Sequence, residues 1–139
     1  MQTLDALVGG AVEEPPRATP PASPAVGASF IVAEGATDAW EGRAQSVATW
    51  TSGGWRFLSP AEGLSLYERS SSNFAAFRNG VWEFGILRGA SVLIGGLQVV
   101  GPRGAAIASA TGGSVVDAEA RTAIETILIR LREHGLIAT

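Results

Sequence analysis

The sequence predicts a mainly β fold, a small antiparallel sheet of hairpins, followed by a C-terminal amphipathic α-helix, and so an α+β protein overall. Three observations predict it. Aromatic and β-branched runs between Phe30 and Phe84 are short and broken by Gly, Asn and Ser, as in hairpins. Short aliphatic runs separated by glycines follow. Apolar residues then recur at helical spacing between Asp117 and His134.

The 139 residues are the length of one domain, and composition divides them into four segments. Residues 1–29 combine a short helix beginning at Thr3 with a proline-rich connector. Residues 30–85 form the β-hairpin domain, residues 86–113 the Gly-rich short strands, and residues 114–139 the C-terminal oligomerisation helix. The proline run is expected to be extended, because proline fixes φ and removes an amide donor.

An internal repeat defines the hairpins. Residues 48–57 read ATWTSGGWRF and residues 75–84 read AAFRNGVWEF, 27 positions later. Each unit predicts a hairpin, with its turn at Ser52-Gly53-Gly54 or at Asn79-Gly80. Since side chains alternate between the two faces of a strand, both aromatic residues of the second strand of each hairpin should share one face.

The C-terminal helix has local signals at both ends. Ser114 and Asp117 are spaced as a capping start, and Gly135 is placed to end a helix of about 18 residues, or roughly 27 Å. Leu136 is then positioned to fold back on the last turn. These signals predict a helix from Asp117 to His134.

The apolar stripe of this helix predicts self-association. If the stripe is read as a heptad, isoleucine occupies both core positions, Ile124 at a and Ile127 at d. This pattern favours a three-stranded coiled coil over a two-stranded one. The predicted oligomerisation residues are Ala120, Ile124, Ile127, Leu128 and Leu131. The same stripe fits equally a helix packed on the core of its own domain. A helix this short also needs the β region to hold any trimer together.

Composition narrows the classes of partner. The formal net charge is −3, and all ten basic residues are arginines scattered along the chain, which gives no support to nucleic-acid binding. There is no cysteine to form disulfides or thiolate metal sites. No apolar run reaches the roughly 18 residues of a membrane span, and the first residues do not resemble a signal peptide. We therefore expect no membrane partner.

The residues that carry most enzyme chemistry are sparse, so we predict no enzymatic activity, no catalytic residues, no cofactor and no metal site. The single histidine, His134, lies in the last helical turn, where an imidazole suits the helix end. Five carboxylates of the β region could in principle pair for glycoside hydrolysis, but nothing marks any two of them as a pair. They are Asp38, Glu41, Glu62, Glu68 and Glu83.

Tryptophan offers the remaining binding chemistry, because its ring stacks on sugars and is favoured at binding surfaces. Trp55 and Trp82 are predicted to pack in the core. Trp40 and Trp50 are nearer to loops, and for them core packing and glycan contact remain open alternatives.

A longer stretch carries a family resemblance. Residues 20–63 read PPASPAVGASFIVAEGATDAWEGRAQSVATWTSGGWRFLSPAEG and closely resemble a domain of uncharacterised function found in phage-tail-associated proteins, prophages and gene transfer agents. In that family a PPASPxxGxxYIVxxGATGAW stretch leads to WxxGxWRFxxPxEG, and Phe30 here replaces a common tyrosine. Residues 98–137 resemble the segment that often follows this domain.

The resemblance implies a non-enzymatic structural component of a phage-like particle, such as a spike, spike-base or fibre subunit. It would be a homo-oligomer, with a trimer favoured and a pentamer expected at a capsid vertex. It would contact other particle proteins, and a glycan-binding module for host surface polysaccharide is the alternative. We expect synthesis in the bacterial cytoplasm followed by assembly into the particle. The family often has a longer helical segment before Leu4–Val8. The shortened start here, together with the lack of a long fibre region, favours a compact adaptor or spike base over a complete fibre.

Overall fold

The computed structural model describes residues 10–138, and the chain divides into two compact units between Leu87 and Arg88. The described residues contain nine strands and one α-helix, which confirms the predicted α+β class with a mainly β architecture. The helix predicted from Thr3 lies outside the described residues. The elements are β1 Ala11–Val12, β2 Ser29–Ile31, β3 Val47–Thr51, β4 Gly54–Leu58, β5 Ser65–Glu68, β6 Asn73–Arg78, β7 Val81–Phe84, β8 Val92–Ile94, β9 Leu97–Val100 and α1 Ala118–Glu133.

The first unit contains two sheets. One has the order β1-β5-β6-β7, and the other has the order β2-β3-β4. All neighbours are antiparallel except β1 and β5, which run parallel. The two repeat hairpins, β3–β4 and β6–β7, therefore form as predicted but belong to different sheets. The prediction of one small sheet is corrected to two.

The segment from Gly10 to Arg17 joins the edges of these two sheets. Its first residues bond to β5, with Tyr67 N donating to Gly10 O at 2.6 Å and Arg69 N donating to Val12 O at 3.0 Å. Its later residues bond to the other sheet, where Arg17 N donates to Ile31 O at 3.1 Å. Val12 is fully buried. The segment is therefore part of the first unit, with β1 at Ala11–Val12. On the near side of the prolines, Glu13 N donates to Ser29 O at 2.9 Å, so amides on both sides of the prolines bond to β2.

Strands β2 and β3 are buried on both faces, which gives the unit two cores. The side chains facing the four-stranded sheet include Ile31 and Val47, which pack with Leu66, Ala75 and Trp82. The opposite face carries a second cluster, built from Phe30, Val32, Trp40 and Ala48, with Trp55 and Phe57 packed against it. Alternation along each strand sends successive residues to these two cores.

The two hairpins turn in different ways. Asn79 and Gly80 have φ values of 50° and 81°, the two consecutive left-handed residues of a type I′ turn. The first hairpin turns at Ser52 and Gly53 and places the left-handed residue next, at Gly54, with φ 92°. Both turns fall where the sequence predicted them, because Asn and Gly accept positive φ at little cost.

The aromatic residues of each hairpin share one face, as predicted, but the faces meet different cores. Trp82 and Phe84 point towards the core between the sheets. Trp55 and Phe57 point away from it, into the second cluster. Trp82 also donates from Nε1 to the carbonyl oxygen of Gln45 at 2.9 Å, which ties β7 to the loop that covers the second cluster.

Trp40 closes that second cluster. It ends the 3₁₀ turn Asp38–Trp40, and its side chain is fully buried. Its ring lies 4.9 Å from the Trp55 ring in an edge-to-face arrangement and 5.9 Å from the Phe30 ring. Its buried Nε1 has no hydrogen-bond partner among the described residues. The loop residue is therefore a core residue, because its turn folds the ring inwards.

Glu68 is a buried carboxylate satisfied entirely by its own turn. Oε1 accepts hydrogen bonds from the backbone N and the Oγ of Ser70, each at 2.6 Å. Oε2 accepts from Ser71 N at 3.1 Å and from Ser71 Oγ. The hydroxyls of Ser70 and Ser71, followed by their backbone amides, lower the pKa of Glu68 below its ordinary value of 4.5, although burial opposes this. The ionised form therefore organises the β5–β6 turn.

The second unit is built from the β8–β9 hairpin and α1. Gly104 pairs with Ile137 in an isolated bridge, and Gly104 N donates to Leu136 O at 2.8 Å. A Cβ on Gly104 would lie 3.2 Å from Leu136 O, so a side chain there would require the two segments to move slightly apart. Among described residues 88–138, the buried hydrophobic side chains are Leu128 and Ile137. The unit has little core of its own.

Replacing Trp40 with alanine tests its place in the core. We expect a loss of about 3–5 kcal/mol in the free energy of unfolding, because a buried aromatic ring leaves a cavity. Trp50→Ala is the control, and its half-buried ring should cost about 1–2 kcal/mol. Chemical denaturation followed by circular dichroism gives both values. Equal losses would contradict the packing described here.

Glu68 gives the fold a predicted acid sensitivity. A carboxylate whose folded pKa is lowered stabilises the fold above pH 4.5, and this contribution is lost as the pH falls through the lowered pKa. Glu68→Gln should lower the melting temperature at pH 7 by several degrees, and the gap to the unmodified chain should close in acid. Glu41→Gln, at an exposed loop position, is the control. A gap that persists unchanged below pH 3 would contradict the role of ionisation.

Candidate assembly surface

The C-terminal helix has the ends that its sequence predicted, within one residue. Asp117 is the N-cap, and its Oδ1 accepts from Ala120 N at 2.8 Å. Gly135, with φ 69°, ends the helix, and Leu136 N reaches back to Leu131 O at 2.9 Å. This pair of turns is a Schellman motif. Ser114, the other predicted capping residue, lies before the observed cap.

One side of α1 is covered by its own unit. This covered stripe consists of Arg121, Glu125, Leu128 and Arg132, at steps of four and three. Leu128 is buried, and Arg132 donates from Nη2 to the carbonyl oxygen of Ile107 at 2.8 Å. Arg132 Nη1 also lies 3.3 Å from Glu125 Oε1. Arg121 bonds to Gly112 O. This side of α1 is therefore held against its own unit largely by hydrogen bonds from arginine side chains to backbone carbonyl oxygens.

The apolar stripe lies beside the covered one, displaced by one residue or about 100° around the helix. Ile124 is 44% exposed and Ile127 is 59% exposed. Ala120 is exposed and Leu131 is half-buried. Of the five predicted oligomerisation residues, Leu128 alone is buried in its own unit. The remaining four form an uncharged surface, which we call the α1 stripe.

The α1 stripe has no partner helix among residues 10–138. In this part of the chain α1 is the only α-helix, so the described residues contain no coiled coil. The heptad interpretation therefore requires other copies. The alternative of a helix laid on its own domain is met at Leu128, which is buried, whereas Ile124 and Ile127 stay exposed. The sequence did not distinguish the two, since Arg121 and Arg132 look like solvent-facing residues.

The β8–β9 hairpin is a second apolar surface that the sequence did not assign to a site. Its six aliphatic residues are 48–74% exposed and comprise Val92, Leu93, Ile94, Leu97, Val99 and Val100. Full burial of one such side chain contributes about 1.5–3 kcal/mol, so on the order of 5–10 kcal/mol is left unrealised here. That is comparable to the whole stability of a typical domain.

The two predicted glycan contacts, Trp40 and Trp50, differ in how far the structure exposes them. Trp40 is fully buried, so its ring is not available to a sugar and it no longer belongs to the candidate surface. Trp50 is half-buried at the end of β3, opposite Trp55, with ring centroids 5.0 Å apart. Exposed aromatic residues that the sequence did not single out are Tyr67 and Phe74, which are paired across β5 and β6 with rings 5.5 Å apart.

Three of the five carboxylates considered for glycoside hydrolysis have hydrogen-bond or ion-pair partners that give them structural roles. Glu68 holds its serine turn, and Glu62 Oε2 accepts from Asn79 N at 2.9 Å. Glu83 lies 3.9 Å from Arg78. Asp38 and Glu41 are exposed in and after the 3₁₀ turn. Nothing in these contacts pairs two acids for the chemistry of a glycosidase.

Further titratable groups lie in an open cleft and at the end of α1. Two ion pairs line the cleft, Glu14 with Arg17 at 2.6 Å and Glu13 with Arg69 at 3.7 Å. His134 is the C-cap of α1 and is exposed. Among the described residues, no three His, Cys, Asp or Glu side chains are grouped as a metal would require. Within the same part of the chain, no helix combines the length and apolar character of a membrane span.

Comparison with known proteins gives one match. No curated protein and no solved structure matches the chain. A family model matches residues 1–83, and its description is a protein of unknown function (DUF2793). The match ends inside β7, close to the boundary of the first unit. Because it covers more than half of the 139 residues, the chain belongs to this family of proteins of unknown function.

Proposed function

We propose that this chain is a non-enzymatic structural component of a phage-like particle, a spike, spike-base or fibre subunit that works as a homo-oligomer. The observation that carries self-association is the exposed, uncharged α1 stripe in a unit with two buried hydrophobic side chains among its described residues. A monomeric protein rarely leaves contiguous apolar surface uncovered. The particle context rests on the resemblance of residues 20–63.

The two units differ in their packing, and the proposal gives each a different role. The first unit has two packed cores and a satisfied buried carboxylate, so it has the means to fold without a partner. The second unit carries 13 of the 19 large hydrophobic side chains that are exposed among the described residues. We assign the first unit to contact with neighbouring particle proteins and the second to self-association.

The copy number follows from the same stripe. Isoleucine at both kinds of heptad position favours a trimer, and a pentamer would be required at a five-fold capsid vertex. The chain would be made in the bacterial cytoplasm and then incorporated into the particle. Neither nucleic acid nor membrane is part of this proposal.

The second candidate function is a glycan-binding module for cell-surface polysaccharide. The half-exposed ring of Trp50 favours it, since Trp40 is buried and no longer available. It is compatible with assembly, because Trp50 belongs to the first unit and the α1 stripe to the second.

The solution mass of the full chain tests self-association. Light scattering should give a trimer, and changing both Ile124 and Ile127 to Asp should yield monomers, because each buried charge would face an apolar partner. Single substitutions provide a matched pair: Ile124→Asp should weaken assembly at least tenfold, whereas Ile129→Asp, equally exposed at 44% but on the other side of α1, should not. An unmodified chain that stays monomeric at high concentration would contradict the proposal.

Titration with bacterial surface polysaccharide tests the second candidate. If Trp50 contacts sugar, its fluorescence should change on titration, and Trp50→Phe should abolish that change while far-ultraviolet circular dichroism stays the same. Trp55→Phe is the control, because Trp55 packs in the second cluster. An identical response from both variants would exclude Trp50 as the contact.

A further inference from the structure

The β8–β9 hairpin combines a fixed local shape with an unusual surface. Gly95 and Gly96, with φ 57° and 80°, form a tight turn that sets the register of the two strands. Residues 92–100, VLIGGLQVV, contain no charge, and Gln98 is their one polar side chain. An isolated sheet of two strands is marginally stable at best in water and needs packing against another element.

Both faces of this hairpin are apolar. Successive residues of a strand point to opposite faces, so Leu93 and Ile94 lie on different sides. They are 58% and 66% exposed, and Leu97, which pairs with Ile94, is 74% exposed. An ordinary surface hairpin would alternate apolar with polar residues. This pattern requires cover on each side, and within the described part of the second unit the buried apolar side chains are Leu128 and Ile137.

We propose that the hairpin is a docking surface for the second unit of another copy of this chain, which thereby completes its core. This inference rests on the self-association proposed above and adds a second, separate contact to the α1 stripe. Because both faces of the hairpin need to be covered at all times, the partner must be present wherever the chain is made. A second copy of the chain meets this requirement.

The chemistry and size of the two surfaces agree. The hairpin has no charge to pair, so its partner must be uncharged, and the same hairpin in another copy is uncharged and exposed. At about 90 Å² for each aliphatic side chain, the exposed parts of the hairpin and stripe offer roughly 450 Å² of apolar area. That is about the apolar share of a standard interface of about 800 Å² per partner.

The absence of cysteine from the chain makes a direct test practical. Single cysteines are introduced in the full-length protein as Gln98→Cys and Val99→Cys, one on each face of the hairpin, and as Ser52→Cys in the exposed β3–β4 turn. A short bismaleimide should join copies through the first two variants and leave the third uncoupled. Coupling through Ser52→Cys alone would overturn the inference.

Hydrogen exchange on the unmodified chain keeps the test independent of any variant. Amides of residues 92–100 should exchange about a hundredfold more slowly once the chain is concentrated enough to assemble. An oligomer whose hairpin amides exchange as fast as in the dilute monomer would overturn this inference and leave the proposed function standing. A chain that is monomeric throughout would overturn both.

Charge substitution gives the corresponding change in affinity. Val99→Asp should raise the concentration for half-assembly about tenfold or more. Val26→Asp, the same change at a valine 73% exposed in the first unit, should leave it unaltered. Equal effects from the two variants would remove the hairpin from the interface.

Discussion

The backbone hydrogen bonds of residues 10–17 hold the first unit together. The segment accepts hydrogen bonds from the β5 side at Gly10 and Val12 and donates to β2 from Glu13 and Arg17, so it borders both sheets. Without it, the free edges of β5 and β2 would both be exposed, and edge strands are liable to pair with foreign chains. The two prolines at positions 15 and 16 lack amide donors, and they fall between Glu13 and Arg17, whose amides both donate to β2. Their position therefore removes no donor that either sheet uses.

The second organising constraint is that β2 and β3 are covered on both sides. Their sequences are accordingly apolar at consecutive positions, as in Phe30-Ile31-Val32, and do not alternate with polar residues. One side is covered by the neighbouring sheet. The other is covered by a loop that brings Trp40 onto Phe30 and Trp55. The residues that match the family model thus largely coincide with those that form the two packed cores. The second unit holds most of the exposed apolar side chains.

Much of this could be predicted from local patterns. The hairpin turns, the shared faces of Trp82 and Phe84 and the ends of α1 follow from signals within a few residues, because turns and caps are local structures. The division of the two hairpins between separate sheets could not be predicted, since each pattern specifies its own hairpin and not its neighbour. β1 could not be predicted from the sequence, because it has only two residues and is soon followed by prolines. Trp40 was left open because its loop has no periodicity that shows which way a ring turns.

Protein synthesis proceeds from the amino terminus, and domains generally fold as units as they emerge. The unit with two cores therefore leaves the ribosome before the hairpin and helix that expose uncharged apolar surface. Such an order limits the time in which these apolar segments of nascent chains are available to one another while the first unit is unfolded. The self-association proposed above would then begin between chains whose first units are already folded.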